Sequence, residues 1–442
     1  MWSMLFIGRA LAFEPRDGDL WWQRALGAEV LRTHAIPRVL GPSTYTAPQA
    51  PWIPHEWLFG TALAWCASHG LDLEFRLALA ACAAAAVVLF ALRAAALGAG
   101  RIAGWATVFG GIALLESFGV RPQVAAWPLL ALFLLLAERT GRARLWAIPV
   151  VALWANVHAS VVLAPVIAGC MLLPDRGVAP RGRLIFFGAV LLAMLCTPFG
   201  VALPLFVLRW SLDPDTAYLV EWARTSVRDW PVLAGAVLPA LILLADARTR
   251  RLTWAQRAIA LLSFVALVLH ARNVAPAAII IVPYAAVIVA ALVGAGRSRP
   301  WSPSDSGLLA LAAAGAVLIV ALEIRLPPAR YAARDAVAAV RAMPGAQRVY
   351  CENFSWCSLF AGDPRARVFL DGRTDAYPHA VFAAWARARA AAPGWEPLLA
   401  ERGTTVILAG TGGELARAAS RTGRWRAAFA GPGITVFALT AE

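Results

Sequence analysis

Apolar residues run in long blocks along most of this chain and then give way to short, alternating patches. The blocks lie at 73–92, 102–118, 122–138, 145–157, 159–173, 184–208, 231–245, 257–270, 274–294 and 307–324, most of them separated by short turns. A helix needs roughly 20 residues to cross a bilayer, so this pattern predicts a mainly α-helical polytopic membrane protein. The pair 145–157 and 159–173 is too short for two full crossings and is expected to form two shallow half-spans meeting at "WANVHAS". The opening "MWSMLFIGRALAF" is apolar but short, and no small-residue cleavage site precedes the polar loop that follows. It is expected to be a clipped first span rather than a signal peptide. From residue 326 the pattern changes: "RVYCE", "RVFLDGR", "TTVILAG" and "GITVFAL" read as strands, and "RDAVAAVRAM", "AVFAAWARARAAA", "WEPLLAERG" and "GELARAASRTG" as helices. Alternating strands and helices predict a small α/β domain over 326–442.

Arginine placement sets the expected sidedness. Clusters stand at Arg139, Arg142 and Arg144, at Arg176, Arg181 and Arg183, at Arg248, Arg250, Arg251 and Arg257, and at Arg297 and Arg299. Two apolar segments separate each cluster from the next, so the positive-inside rule places all four in the cytoplasm. Residues 326–442 and the first polar loop, 14–56, are then expected outside. The 57–69 segment, "WLFGTALAWCASH", is short for a span and is read as a helix lying along the outer face. The expected division is a membrane domain, 1–325, carrying the outer loop and interfacial helix, followed by the extracytoplasmic domain. In this topology Asp17, Asp19, His55, Glu56, Arg121, Asn156, His158, Asp213, Asp215, Glu221, Arg272 and Asn273 all gather on the outer side. Ionisable groups near a membrane are expensive and tend to mark function.

Composition supports the class. Of 442 residues, 60% are hydrophobic and 15% charged, with mean hydropathy +0.65. The charge of +14 is carried by arginine alone, which excludes a Walker A lysine and a Schiff-base lysine. The arginine excess matches the alanine excess and gets no nucleic-acid reading. Cys66, Cys82, Cys170 and Cys196 lie in apolar blocks and read as small buried hydrophobes. Cys351 and Cys357 lie in the polar tail, as a disulfide or as two buried thiols. No cysteine or histidine spacing suits zinc.

The chemistry-bearing residues concentrate in "RDGDLWW" and "HEW" of the first loop. Asp17 and Asp19 suit a shared divalent cation or a general base; equally, Asp19 suits the cap of a helix beginning at Leu20. Trp21 and Trp22 read as interfacial aromatics or as stacking surfaces for substrate. His55 and Glu56 suit polarising a hydroxyl or completing a metal shell, or Glu56 simply favours a helix N-terminus. Arg121 and Arg272 suit a phosphate clamp or lipid-headgroup contact. Asn156 and His158 suit backbone groups freed at the half-span break. "DGRTD" at 371–375 is an active-site edge or an internal salt bridge.

Taken in order, "DGDLWWQRALGAEVLRTHAIPRV", "STYTA", "PWIPHEWLFG", "VRPQ", "WANVHAS", "TPFG", "VEW", "ARNVAP" and "VFLDGRTDAY" resemble a family of bacterial multispan membrane proteins of uncharacterised function. That family is similar to the GT-C superfamily of polyprenyl-phosphate-sugar-dependent glycosyltransferases. The resemblance covers nearly the whole chain, departing from it in the short first segment. It implies a GT-C-like fold in the bacterial cytoplasmic membrane and a polyprenyl-phosphate sugar donor. The acceptor would be a glycan, lipid or protein, and nucleic acid has no part. Catalytic roles then fall to Asp17, Asp19 and Glu56. Substrate contacts fall to Trp21, Trp22, His55, Arg121, His158, Glu221 and Arg272, and a Mg or Mn ion to Asp17 and Asp19. The competing expectations are a non-enzymatic lipid-glycan carrier or flippase, using the arginines alone, and a cell-envelope assembly protein.

Overall fold

A computed structural model describes residues 2–12, 18–174, 179–219, 222–225, 237–294 and 332–440. The expected span 307–324, the start of the 231–245 block at 231–236, and the site candidates Asp17 and Glu221 lie outside the described residues. The chain forms two compact units: Met1–Phe13 with Leu71–Leu326, and Glu14–Gly70 with Pro327–Glu442.

The first unit is helical. Its helices include Asp72–Ala96, Ile102–Glu116, Pro122–Ala137, Trp254–Leu269 and Val274–Leu292, close to the expected blocks. Among the described residues, Asp72–Ala96 and Ala271–Leu292 are long and apolar enough to cross a bilayer. The 145–173 region breaks at His158, whose extended backbone separates Ala147–Val157 from the turn Ala159–Val162 and the helix Leu163–Cys170. The block 184–208 was expected as one segment and is two helices, Pro180–Met194 and Ala202–Ser211. "TPFG" at 197–200 divides them, because Pro198 cannot continue the hydrogen-bond ladder and Gly200 takes φ +50°.

This unit also encloses a charge that the sequence reading overlooked. Arg93 is buried and makes a two-pronged pair with Glu138, at 2.7 and 2.9 Å. Its Nη1 also donates to the carbonyls of Ile279 and Ile280. Pro283 lies inside the helix Val274–Leu292 and has no N–H for the carbonyl four residues back, that of Ile279. Arg93 therefore satisfies the Ile279 carbonyl, which the proline leaves open in an apolar bundle, where an orphaned carbonyl is costly.

The second unit is built on a mixed sheet. Its strands are β1 (Gln347–Cys351), β2 (Ala366–Val368), β3 (Val406–Gly410), β4 (Trp425–Ala430) and β5 (Ile434–Leu439). Among the described residues the order is β2-β1-β3-β5-β4, with β1 parallel to β2 and β3, and β5 antiparallel to β3 and β4. Successive strand residues face opposite sides, so both faces carry a core. Val349, Cys351, Val406 and Leu408 pack with Val337 and Val340 of the helix Ala332–Arg341. Tyr350, Ile407 and Ala409 face the other way, toward Phe382 and Trp385 and also toward Trp22, Leu26, Leu40 and Trp52.

Those last four residues come from the first loop, expected in the membrane domain. The 14–70 segment is instead one layer of the second unit. It begins with the helix Asp19–Thr33, which has an acid in its first turn and ends where His34 turns left-handed at φ 54°. Residues 43–46 then extend the sheet beside β2: Val368 N–H donates to Ser43 O at 2.8 Å, and Tyr45 N–H to Val368 O at 3.2 Å. The helix Trp57–Ser68 returns across Asp19–Thr33 at a glycine contact, where a Cβ on Gly27 would overlap the Gly60 carbonyl.

Candidate functional site

Within the second unit, the start of the helix Asp19–Thr33, the "HEW" turn and the stretch 371–377 come together. Gly18 holds the helix cap position and Asp19 begins the first turn, so the side chain of Asp19 is not the expected cap. Its Oδ1 accepts the indole N–H of Trp22 at 2.9 Å. Trp22 is buried edge-on against Trp52, with centroids 5.8 Å apart. It is thus a core residue that orients a carboxylate, and offers little surface for the substrate wall expected of it. Trp21 packs beneath the Arg334 guanidinium.

Glu56 is buried, and both of its oxygens are engaged. Oε2 accepts from Gln23 Nε2 at 2.5 Å, and Oε1 lies 3.4 Å from His55 Nε2. His55 Nδ1 is 3.3 Å from the Ile53 carbonyl and 4.0 Å from Asp375 Oδ2. Burial by itself lowers the His55 pKa, but the hydrogen bond and charge of Glu56 and the charge of Asp375 outweigh it, and the net shift is upward. Burial pushes the Asp375 carboxyl up to about 6; His55 opposes this and Glu56 adds to it. Asp375 Oδ2 has no hydrogen-bond partner among the described residues.

Arg373 ties the two segments of the unit together. It pairs with Asp371 through Nε and Nη2, at 3.0 and 2.6 Å, and donates to Leu40 O and to Ser43 Oγ. Its guanidinium also covers the Trp52 ring. Of the two readings of "DGRTD", the internal salt bridge therefore holds for Asp371 and Arg373, while Asp375 sits with His55.

The remaining candidates belong to the helical unit. Arg121 stands exposed before the helix Pro122–Ala137. His158 Nδ1 accepts from Ser160 N–H, and Asn156 Nδ2 donates to the carbonyls of Ala152 and Cys196. Both meet the backbone needs of the helix break. The Arg272 guanidinium lies over the Trp222 ring at 4.6 Å, and His270 Nδ1 is 2.7 Å from Trp222 O.

The fold is similar to that of the oligosaccharyltransferase of Archaeoglobus fulgidus, whose crystal structure is a complex with zinc and sulfate. The TM-score is 0.57 at 13% identity, over 99% of this chain and 72% of that one. No protein-family model and no curated protein matches the sequence. Gln23 and Ser358 are the site neighbours that the sequence did not single out, while Gly372 and Asp375 lie in "DGRTD", which it did. Gln23 had a readable signal, since it stands four residues after Asp19 on the same helix face.

Proposed function

We propose that the protein is a glycosyltransferase of GT-C type in the bacterial cytoplasmic membrane, taking sugar from a polyprenyl-phosphate donor at the outer face. The observation that carries this reading is Asp19: a carboxylate held by an indole N–H at the start of a helix, in a chain whose fold is similar to an oligosaccharyltransferase. The many exposed leucines of the helical unit, among them Leu184, Leu192, Leu208, Leu244 and Leu261, support a lipid surrounding.

In the proposed reaction the acceptor oxygen forms a bond to the anomeric carbon as the bond from that carbon to the phosphate oxygen breaks. The acceptor proton passes to Asp19 or Asp17, and polyprenyl phosphate leaves. Arg121 and Arg272 neutralise the charge growing on the phosphate. A divalent ion held by Asp17 and Asp19 would supply further positive charge there. The donor set suits it, since hard cations take carboxylate oxygens.

The test is transfer from a polyprenyl-phosphate sugar in liposomes, with and without a chelator. Asp19→Asn keeps the shape and removes the base, so turnover should fall about 10²–10⁴-fold. Arg272→Ala should weaken donor binding as well. If Asp17→Asn, Asp19→Asn and the double variant all transfer at the wild-type rate, the acidic loop is not catalytic and these site assignments are wrong; a wild-type protein that transfers no sugar would favour the carrier reading.

A further inference from the structure

Asp19 does not rest on its own helix alone. Its carboxylate lies directly on Gly372: a Cβ built there would overlap Asp19 Oδ1 and come within 2.9 Å of Trp22 Nε1 and 3.0 Å of Ser358 Oγ. Gly372 is in turn held by Ser358, which is fully buried and whose Oγ accepts the Gly372 N–H at 2.9 Å. The residue before Asp19 meets the same wall. A Cβ on Gly18 would come within 2.7–2.9 Å of the Cβ, carbonyl oxygen and Cα of Ser355. Ser355 and Ser358 belong to one short stretch, which leaves the end of β1 at Cys351 and returns to it through a disulfide at Cys357, with Cα atoms 5.7 Å apart. The single helical turn Phe354–Cys357 is too short to hold itself, because nucleating a helix is unfavourable. The Asn353 side chain, which accepts from Ser355 N–H, caps the turn, and the disulfide fixes it to the sheet.

We propose that the disulfide-closed stretch 351–358 is a rigid seat for the acidic motif, and that Ser358 is a positioning residue for Asp19 acting through Gly372. The function assigned to the seat rests on the glycosyltransferase reading; the seat itself does not. In these terms the C-terminal domain is a working part of the site, supplying the surface on which a carboxylate from the far end of the sequence is aimed. It also makes turnover depend on an oxidised Cys351–Cys357 pair. The other described cysteines, Cys66, Cys82, Cys170 and Cys196, are outside the disulfide and are not part of the seat.

The experiment uses the full-length protein in liposomes and two changes, Ser358→Ala and the pair Cys351→Ala with Cys357→Ala. Hydrogen–deuterium exchange is read at residues 18–24, with β3 and β5 as the control for intact fold. Transfer kinetics are measured in parallel. Both variants should exchange faster at 18–24 with β3 and β5 unchanged. Turnover should fall about 10–100-fold, as misplacement of a reacting group by an ångström does, while KM for the donor stays put. Ser358→Thr, which keeps the oxygen, should recover much of the turnover lost in Ser358→Ala. Unchanged exchange at 18–24 in both variants overturns the seat, and so does exchange that rises equally through β3 and β5. Faster exchange at 18–24 together with a wild-type protein that transfers no sugar supports the seat and overturns the glycosyltransferase reading.

Discussion

At the scale of single residues, His55 and Asp375 beside the "HEW" turn set a pH dependence with a definite sign. Asp375 titrates near 6 in the fold, above the ordinary carboxyl value of 3.8, because burial and Glu56 disfavour its charge. A raised pKa means that the folded state binds the proton more tightly than the unfolded chain. The stability it brings is therefore complete below pH 4 and is lost as pH rises through 6. His55 is also raised, so its contribution is complete below its ordinary 6.5 and is lost at higher pH. Both groups make the unit less stable in going from pH 4 to pH 8. Asp375→Asn removes a buried carboxylate and should raise stability at pH 8 by about 3 kcal/mol, at 1.36 kcal/mol per unit of pKa. At pH 4 it should change little. Thermal unfolding of the two proteins across that range checks this, and a midpoint for Asp375→Asn that is lower at pH 8 than the wild type's would contradict it. A substitution that stabilises the fold and slows transfer would mark Asp375 as a residue kept for function.

At the scale of elements, the crossing of the helices Asp19–Thr33 and Trp57–Ser68 depends on Gly27 and Gly60. Replacing Gly27 with alanine favours the helix by up to about 1 kcal/mol. The added methyl meets a backbone carbonyl, which cannot rotate away as a side chain could, and overpacking of this kind costs about 1–3 kcal/mol. The overlap should win, so Gly27→Ala should lower the denaturation midpoint; an unchanged or higher midpoint would show that the helices can slide apart. The elements themselves were largely legible, because apolar block length marks a helix and alternation marks a strand. β4 was not: "WRAAFA" has few strand formers, it lies at the sheet edge, and a bulge between Ala427 and Phe429 spoils its alternation. The break at "TPFG" was visible as residues but masked by the apolar run on either side. In the site, Asp19, His55 and Glu56 stood out as polar residues in an apolar chain. "DGRTD" stood out as a segment, but Ser358 and the pairing of Gly372 with Asp19 and of Asp375 with His55 did not, since contact across some 300 positions leaves no local pattern.

At the scale of the whole molecule, the second unit is made from two stretches with all of 71–326 between them. Closing a loop of that length costs about 5 kcal/mol of chain entropy. Burying Leu26, Leu40, Trp22 and Trp52 against the sheet contributes roughly 1.5–3 kcal/mol each, which more than offsets it. The β-bridge between Thr44 and Val368 and the Arg373 contacts fix the register of the join. The division expected from sequence followed chain order; the observed one follows which apolar faces complete each other.

That join also has a consequence in time. A ribosome adds about 5–20 residues per second. The 14–70 segment therefore waits about 20–75 s before the strands that complete it have been made. Throughout that interval Trp22, Leu26 and Trp52 have no sheet to cover them, and the segment is a client for holding factors. A chain stopped after Leu326 should remain in that state permanently. Limited proteolysis should cut it within residues 14–70 at protease levels that leave the full-length chain intact there, and equal resistance in the two would show that the segment folds without its distant half.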